Sequence, residues 1–163
     1  MCATGQICER YMTPTCANPD WAEWPMPNGP ADVGTGAPNP ASYTDNLDGT
    51  VTDNVTKLMW QQAEAPGYYS QADALAYCSM LSLGGHRDWR LPSAIEIVSI
   101  VDYGQSNSAI SATLFPTLPD QFFWSSTLVA GSPSEAWGVY FGLVSGSTSR
   151  VGMAAGHSVR CVR

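Results

Sequence analysis

ADALAYCSMLSLGGHRDWRLPSAIEIVSI, residues 72–100, decides the fold. Ala72, Leu75, Ala76, Met80 and Leu81 recur at helical spacing, so the stretch opens as an amphipathic helix with Cys78 inside it. Gly84-Gly85 is read as the stop, because glycine takes the positive φ that ends a helix. A rigid run follows, His86-Arg87-Asp88-Trp89-Arg90-Leu91-Pro92. Pro92 fixes its own φ and pushes Leu91 toward an extended conformation. Asp88 between two arginines suits an ion pair that locks this turn. Ser93 and Glu96 have the spacing of a capping box for a second helix. Ile95, Val98, Ile100 and Val101 are its expected apolar face.

Upstream, residues 43–60 read as a β-hairpin. Asp48-Gly49 is a strong turn signal, Thr50, Val51 and Thr52 favour a strand, and Leu58-Met59-Trp60 opens a buried one. Ser70, with Asp73 three residues on, caps the first helix. Downstream, residues 104–121 lack a regular pattern and read as a long loop. Residues 122–127 read as a strand. From 136 to 143 apolar residues alternate, with Trp137, Val139 and Phe141 on the inward face and Gly138 and Tyr140 on the other. Residues 147–153 and 158–162 complete the strands. Residues 1–42 hold three of the five cysteines and most of the 12 prolines, and are read as an arm packed on the domain. Trp21 and Trp24 are its expected anchors.

Several ordered motifs carry a family resemblance. They are GGHRDWRLP, Asp45-Asn46-Leu47-Asp48-Gly49-Thr50, Leu58-Met59-Trp60, Ala76-Tyr77-Cys78, Phe123-Trp124-Ser125-Ser126-Thr127, Ala136-Trp137 and Val159-Arg160-Cys161-Val162-Arg163. From about residue 43 onward the chain resembles the family typified by the C-terminal domain of the collagen-like adhesin Lcl, which is similar to the C-type-lectin fold. The resemblance implies an α+β domain over 43–163, with two helices, a twisted, mainly antiparallel sheet and long loops. It implies a bridge between Cys78 and Cys161, since that fold joins its first helix to its last strand. It also places Trp60, Trp89, Trp124 and Trp137 in the core, an aromatic glycan platform being the alternative.

Charge and cysteine usage bound the function. The net charge of −7 argues against nucleic acid and against general attraction to anionic surfaces. No apolar run approaches the length of a membrane span. The five cysteines form no CxxC, which speaks against zinc and for two disulfides in an oxidising compartment. Cys8 and Cys16 close a small loop across Thr13-Pro14. Cys2 is the odd one, and acylation of a mature lipoprotein at Cys2 is the one expected route to a membrane. A secreted, periplasmic or cell-surface location follows.

No nucleophile motif accompanies His86 or His157, and GxSxG, P-loop and dinucleotide-turn patterns are absent, so no enzyme is expected. Asp45, Asp48 and Asp53 place hard oxygens near a glycine turn, as calcium requires. An Asx-stabilised turn explains the same residues. The expected ligand face lies between Gly138 and His157. It comprises Tyr140, Leu143, Val144, Arg150, Val151, Met153 and His157, an apolar set with interface-favoured residue types. The expected function is surface-displayed binding of a glycan or protein, adhesin- or receptor-like. The alternatives are a structural module that forms homo-oligomers within a surface assembly, or a receptor domain diversified by retroelements.

Overall fold

The structure is a computed structural model that describes residues 25–104, 108–116, 122–142 and 146–163, with the backbone of 7–8 and 16–17. The described elements make an α+β fold of short helices and small antiparallel sheets. Strands β1 (Ile7–Cys8) and β2 (Cys16–Ala17) pair antiparallel with Cys8 opposite Cys16. The side chains of that expected bridge lie outside the described residues, as do Cys2, Trp21 and Trp24. Residues 25–42 carry a single helical turn, α1 (Pro30–Gly34), with proline in its first turn where a missing N–H does no harm. Asn28 closes the loop around it by backbone bonds to Asn39 and Ala41, both 2.9 Å.

The expected hairpin is the first half of a meander, β3 (Tyr43–Asp45), β4 (Thr50–Asp53) and β5 (Met59–Gln61), paired in that order. Its first turn holds Leu47 and Gly49 at positive φ. Asp48 secures it by accepting hydrogen bonds from the Thr50 N–H (3.0 Å) and hydroxyl (2.6 Å).

Helix α2 (Gln71–Met80) begins at Ser70 as expected, its hydroxyl oxygen accepting from the Asp73 N–H. It ends earlier than the glycines suggest. Leu81 is already extended, and Gly84 and Gly85, at φ +57° and +77°, form a two-residue hairpin turn instead. Leu83 and His86 exchange both backbone hydrogen bonds across it, at 3.1 and 3.0 Å. The buried face of α2 is also not the one its apolar residues outline. Gln71, Ala74 and Cys78 face inward, while Leu75 and Met80 are exposed. The bond from Cys78 to Cys161, with Cα atoms 5.5 Å apart, fixes this orientation and is the bridge the resemblance implies.

Helix α3 (Ala94–Val98) opens with the expected capping box. Ser93 accepts from the Glu96 N–H, and the Glu96 carboxylate accepts from the Ser93 N–H at 2.7 Å. Of its expected apolar face, Ile100 is buried and Val98 and Val101 pack partly buried against the same core, but Ile95 is 60% exposed and the fully buried residue is Ile97. Asp88 pairs with neither neighbouring arginine. It accepts two bonds from Arg163, at 2.8 and 3.0 Å, while Arg90 forks onto Glu96 at 2.7 and 2.6 Å.

The larger sheet is β6 (Phe122–Leu128), β7 (Glu135–Tyr140) and β8 (Ser147–Gly152), antiparallel in that order. Residues 158–162, expected as a last strand, form an extended segment that bridges the two sheets rather than a ladder on either. On one side Met59 and Arg163 exchange backbone bonds, and Gln61 donates to the Cys161 carbonyl. On the other, Ser158 exchanges bonds with Phe122 and Trp124, and further along Val162 exchanges bonds with Arg90. Every residue from 158 to 162 is buried. One core, with Ile97, Phe123, Val139 and Phe141, lies under α3. The other, with Ala74, Cys78, Trp89, Trp124 and Ala136, lies under α2. Among the described residues no helix is long and apolar enough to cross a membrane.

Candidate functional site

Strand alternation decides what each face of the larger sheet carries. Val139 and Phe123 belong to the core under α3, whereas Ala136 and Trp124 belong to the core under α2. Trp137 shares the face of Val139, and Tyr140 that of Ala136. Cross-strand partners share a face, so Arg150, opposite Trp137, and Thr148, opposite Val139, stand on the α3 side.

On that side α3 covers only part of the sheet. Ala94, Ile95 and Val98 of α3 with Thr127, Trp137 and Thr148 of the sheet line an open cleft of about 330 Å³. The Thr127 hydroxyl oxygen accepts from the Ala94 N–H at 2.9 Å, which fixes the helix start to the cleft's wall. Trp60, Trp89 and Trp124 are buried as expected, but Trp137 is only half-buried. Its inward placement was expected from alternation. Alternation chooses a face and does not say how far the covering helix reaches. Beside Trp137, Arg150 donates to the Glu135 carboxylate at 2.5 Å, with the two side chains 57% and 30% exposed. That bond, with another from Ser132, holds the Glu135 carboxyl below the usual range.

The α2 face carries an aromatic run. Phe122 lies 4.9 Å from Tyr140 and 5.6 Å from His157, which in turn meets Trp124 at 5.0 Å between ring centres. Burial lowers the His157 pKa, and its Nε2 meets no hydrogen-bond partner among the described residues. Val151 and Met153 are half-buried against the core on this side. The expected ligand face is therefore divided. Tyr140, Val151, Met153 and His157 stand on one side of the sheet and Arg150 on the other. Leu143 and Val144 lie outside the described residues.

The three aspartates considered for calcium do not converge. Asp45 accepts from the Leu47 N–H and the Gln62 amide, and Asp48 from Thr50. Asp53 is fully buried at the far end of β4, where it accepts from the Val55 N–H and the Thr56 hydroxyl. Among the described residues no group of three His, Cys, Asp or Glu side chains is placed to hold a metal.

Sequence reasoning missed the cleft, although one signal points to it. Ala94, Ile95 and Val98 make one apolar stripe on the second helix, and Ile97 with Ile100 makes another. So short a helix cannot bury both against one sheet. Residues 49–163 match the sequence model of the Lcl C-terminal domain family. No curated protein matches the chain.

Proposed function

Because the chain belongs to the Lcl C-terminal domain family, we propose that it is a lectin-like binding module displayed outside the cytoplasm, and that its ligand is a glycan held in the Trp137 cleft. The half-buried indole of Trp137 inside a concave, partly covered sheet face carries this reading. A sugar ring has an apolar C–H face and a rim of hydroxyls. Tryptophan offers a broad flat surface to the first. The Arg150–Glu135 pair beside it offers donors and acceptors to the second. Ligand sites combine this kind of apolar lining with a few fixed polar groups. The buried Cys78–Cys161 bond supports an oxidising compartment. Its link from the first long helix to the segment between the sheets supports the lectin-like reading of the fold.

An anionic glycan is disfavoured. Arg150 is already neutralised by Glu135, and the chain carries a net charge of −7. A glycan array probed with the wild-type domain and with Trp137→Ala tests the proposal, with circular dichroism to establish folding. The expected result is binding to neutral glycans that falls at least about tenfold in Trp137→Ala. Binding that survives the substitution overturns the site. An array without hits, alongside selected peptides that need Trp137, would make the ligand a protein.

A further inference from the structure

The side chains that line the Trp137 cleft are unequal in what they leave for a ligand. Ala94, Ile95, Val98 and the indole face are apolar. The polar groups among these side chains are the Thr127 and Thr148 hydroxyls and the indole N–H. Thr127 Oγ1 already accepts from the Ala94 N–H at 2.9 Å, so what remains for a ligand is chiefly its proton. Among the described residues that proton meets no acceptor, and neither does the Trp137 indole N–H, which can only donate. Thr127 and Trp137 stand on adjacent strands, each one residue from the paired Leu128 and Ala136. This end of the cleft is therefore rich in donors and poor in acceptors. The bond that engages Thr127 also sets Ala94 beside its hydroxyl, with Val98 one turn further along α3.

A ligand group that fits here accepts a hydrogen bond, has no proton of its own to place and carries a small apolar end. A ring hydroxyl meets the first condition only. It must find an acceptor for its own proton, and the nearest side-chain oxygen has already taken the Ala94 N–H. A polar group left unsatisfied on binding is costly. A uronate brings acceptors, but it also brings negative charge toward Glu135 in a chain of net charge −7. An acetamido group meets all three conditions. Its carbonyl only accepts, and a methyl sits on the same carbon.

Resting on the glycan reading above, we propose that the sugar held in this cleft is an N-acetylhexosamine. Its acetamido carbonyl accepts from the Thr127 hydroxyl, and its methyl packs against Ala94 and Val98. The volume of about 330 Å³ lies at the small end of ligand sites, so the cleft takes one such unit of a longer glycan.

Two pairs of oligosaccharides isolate the acetamido group. One is triacetylchitotriose against cellotriose. The other is a glycan ending in N-acetylgalactosamine against the same glycan ending in galactose. Within each pair an acetamido group replaces a hydroxyl and nothing else changes. In calorimetric titration at least one acetamido sugar should bind about tenfold tighter or more than its counterpart. Thr127→Val keeps the shape without the donor and should bring that ratio close to one, whereas Thr127→Ser should keep it. Thr127 also holds the start of α3, so circular dichroism is needed for each variant. Ala94→Leu fills the place of the methyl without touching that hydroxyl, and should lower the same ratio even if Thr127→Val fails to fold. Hexoses that bind as tightly as acetamido sugars, with Trp137→Ala abolishing both, overturn this inference and leave the glycan site standing. A preference unmoved by the Thr127 and Ala94 variants overturns the contacts assigned here. An array without any glycan hit overturns the glycan reading and this inference with it.

Discussion

Arg160 sits where water does not reach, and burial pulls its pKa down to about 10 against an opposing effect of Glu64. It remains charged at neutral pH. Its guanidinium donates to the carbonyls of Gln61, Gln62 and Pro116 and stacks between Phe115 and Phe123, 5.1 and 5.6 Å from the ring centres. Hydrogen bonds from a charged donor each contribute about 1.5–3 kcal/mol net. Arg160→Met should therefore lower stability by at least about 3 kcal/mol in urea denaturation. Arg160→Lys should not restore it, because a point cation cannot span three carbonyls. His157 makes the complementary case of a group held neutral. Burial lowers its pKa, so the unfolded chain takes up a proton before the folded one does. Stability contributed by neutral His157 is then intact above the ordinary histidine range and is lost as pH falls through that range toward the lowered value. Thermal unfolding at pH 7.5 and 5.5 should show this loss. His157→Phe, which keeps the ring contacts with Phe122 and Trp124, should remove part of it.

At the scale of single elements, local chemistry is legible in the sequence and orientation is not. Ser70 and Ser93 cap the helices they are read to cap, and Asp48-Gly49 turns the chain where expected. Each signal needs only a few neighbouring residues. The inward faces of α2 and α3 depend on partners far along the chain, Cys161 for Cys78 and the Phe123 core for Ile97. Asp88 likewise finds Arg163, 75 positions away, rather than an adjacent arginine. The Trp137 cleft was hidden for the same reason, since it exists only where a short helix stops covering a sheet. The hairpin at Gly84-Gly85 supports a graded prediction. Alanine at either position costs about 1–2 kcal/mol for its left-handed backbone. A Cβ on Gly84 would also lie 2.8 Å from Thr50 Cγ2, whereas Gly85 has nothing within 4 Å. Gly84→Ala should thus lower the urea midpoint clearly more than Gly85→Ala. Ser93→Ala, by removing one arm of the capping box, should cost about 1 kcal/mol.

For the whole molecule, the decisive segment is residues 158–162, since both three-stranded sheets and the backbone of Arg90 bond to it. The Cys78–Cys161 bond ties this segment to α2 across 83 positions. In the chain-entropy model so long a closed loop contributes roughly 4–5 kcal/mol, an upper figure that native strain can reduce. Both sulfur-bearing residues are fully buried, so a reductant reaches the bond only when the segment leaves its place between the sheets. That departure breaks the bonds to Gln61, Ala65, Arg90, Phe122 and Trp124 together, and nothing in the packing lets Cys161 open alone. Two outcomes follow. Dithiothreitol at neutral pH without denaturant should leave the bond intact over hours, while the same reductant in urea should lower the unfolding midpoint. The reduction rate should also rise with urea as steeply as global unfolding does, because the exposing event is the loss of the whole fold. A bond that reduces readily in buffer, at a rate indifferent to urea, would mean that residues 158–162 open locally. The two sheets would then be held together by something other than the segment between them.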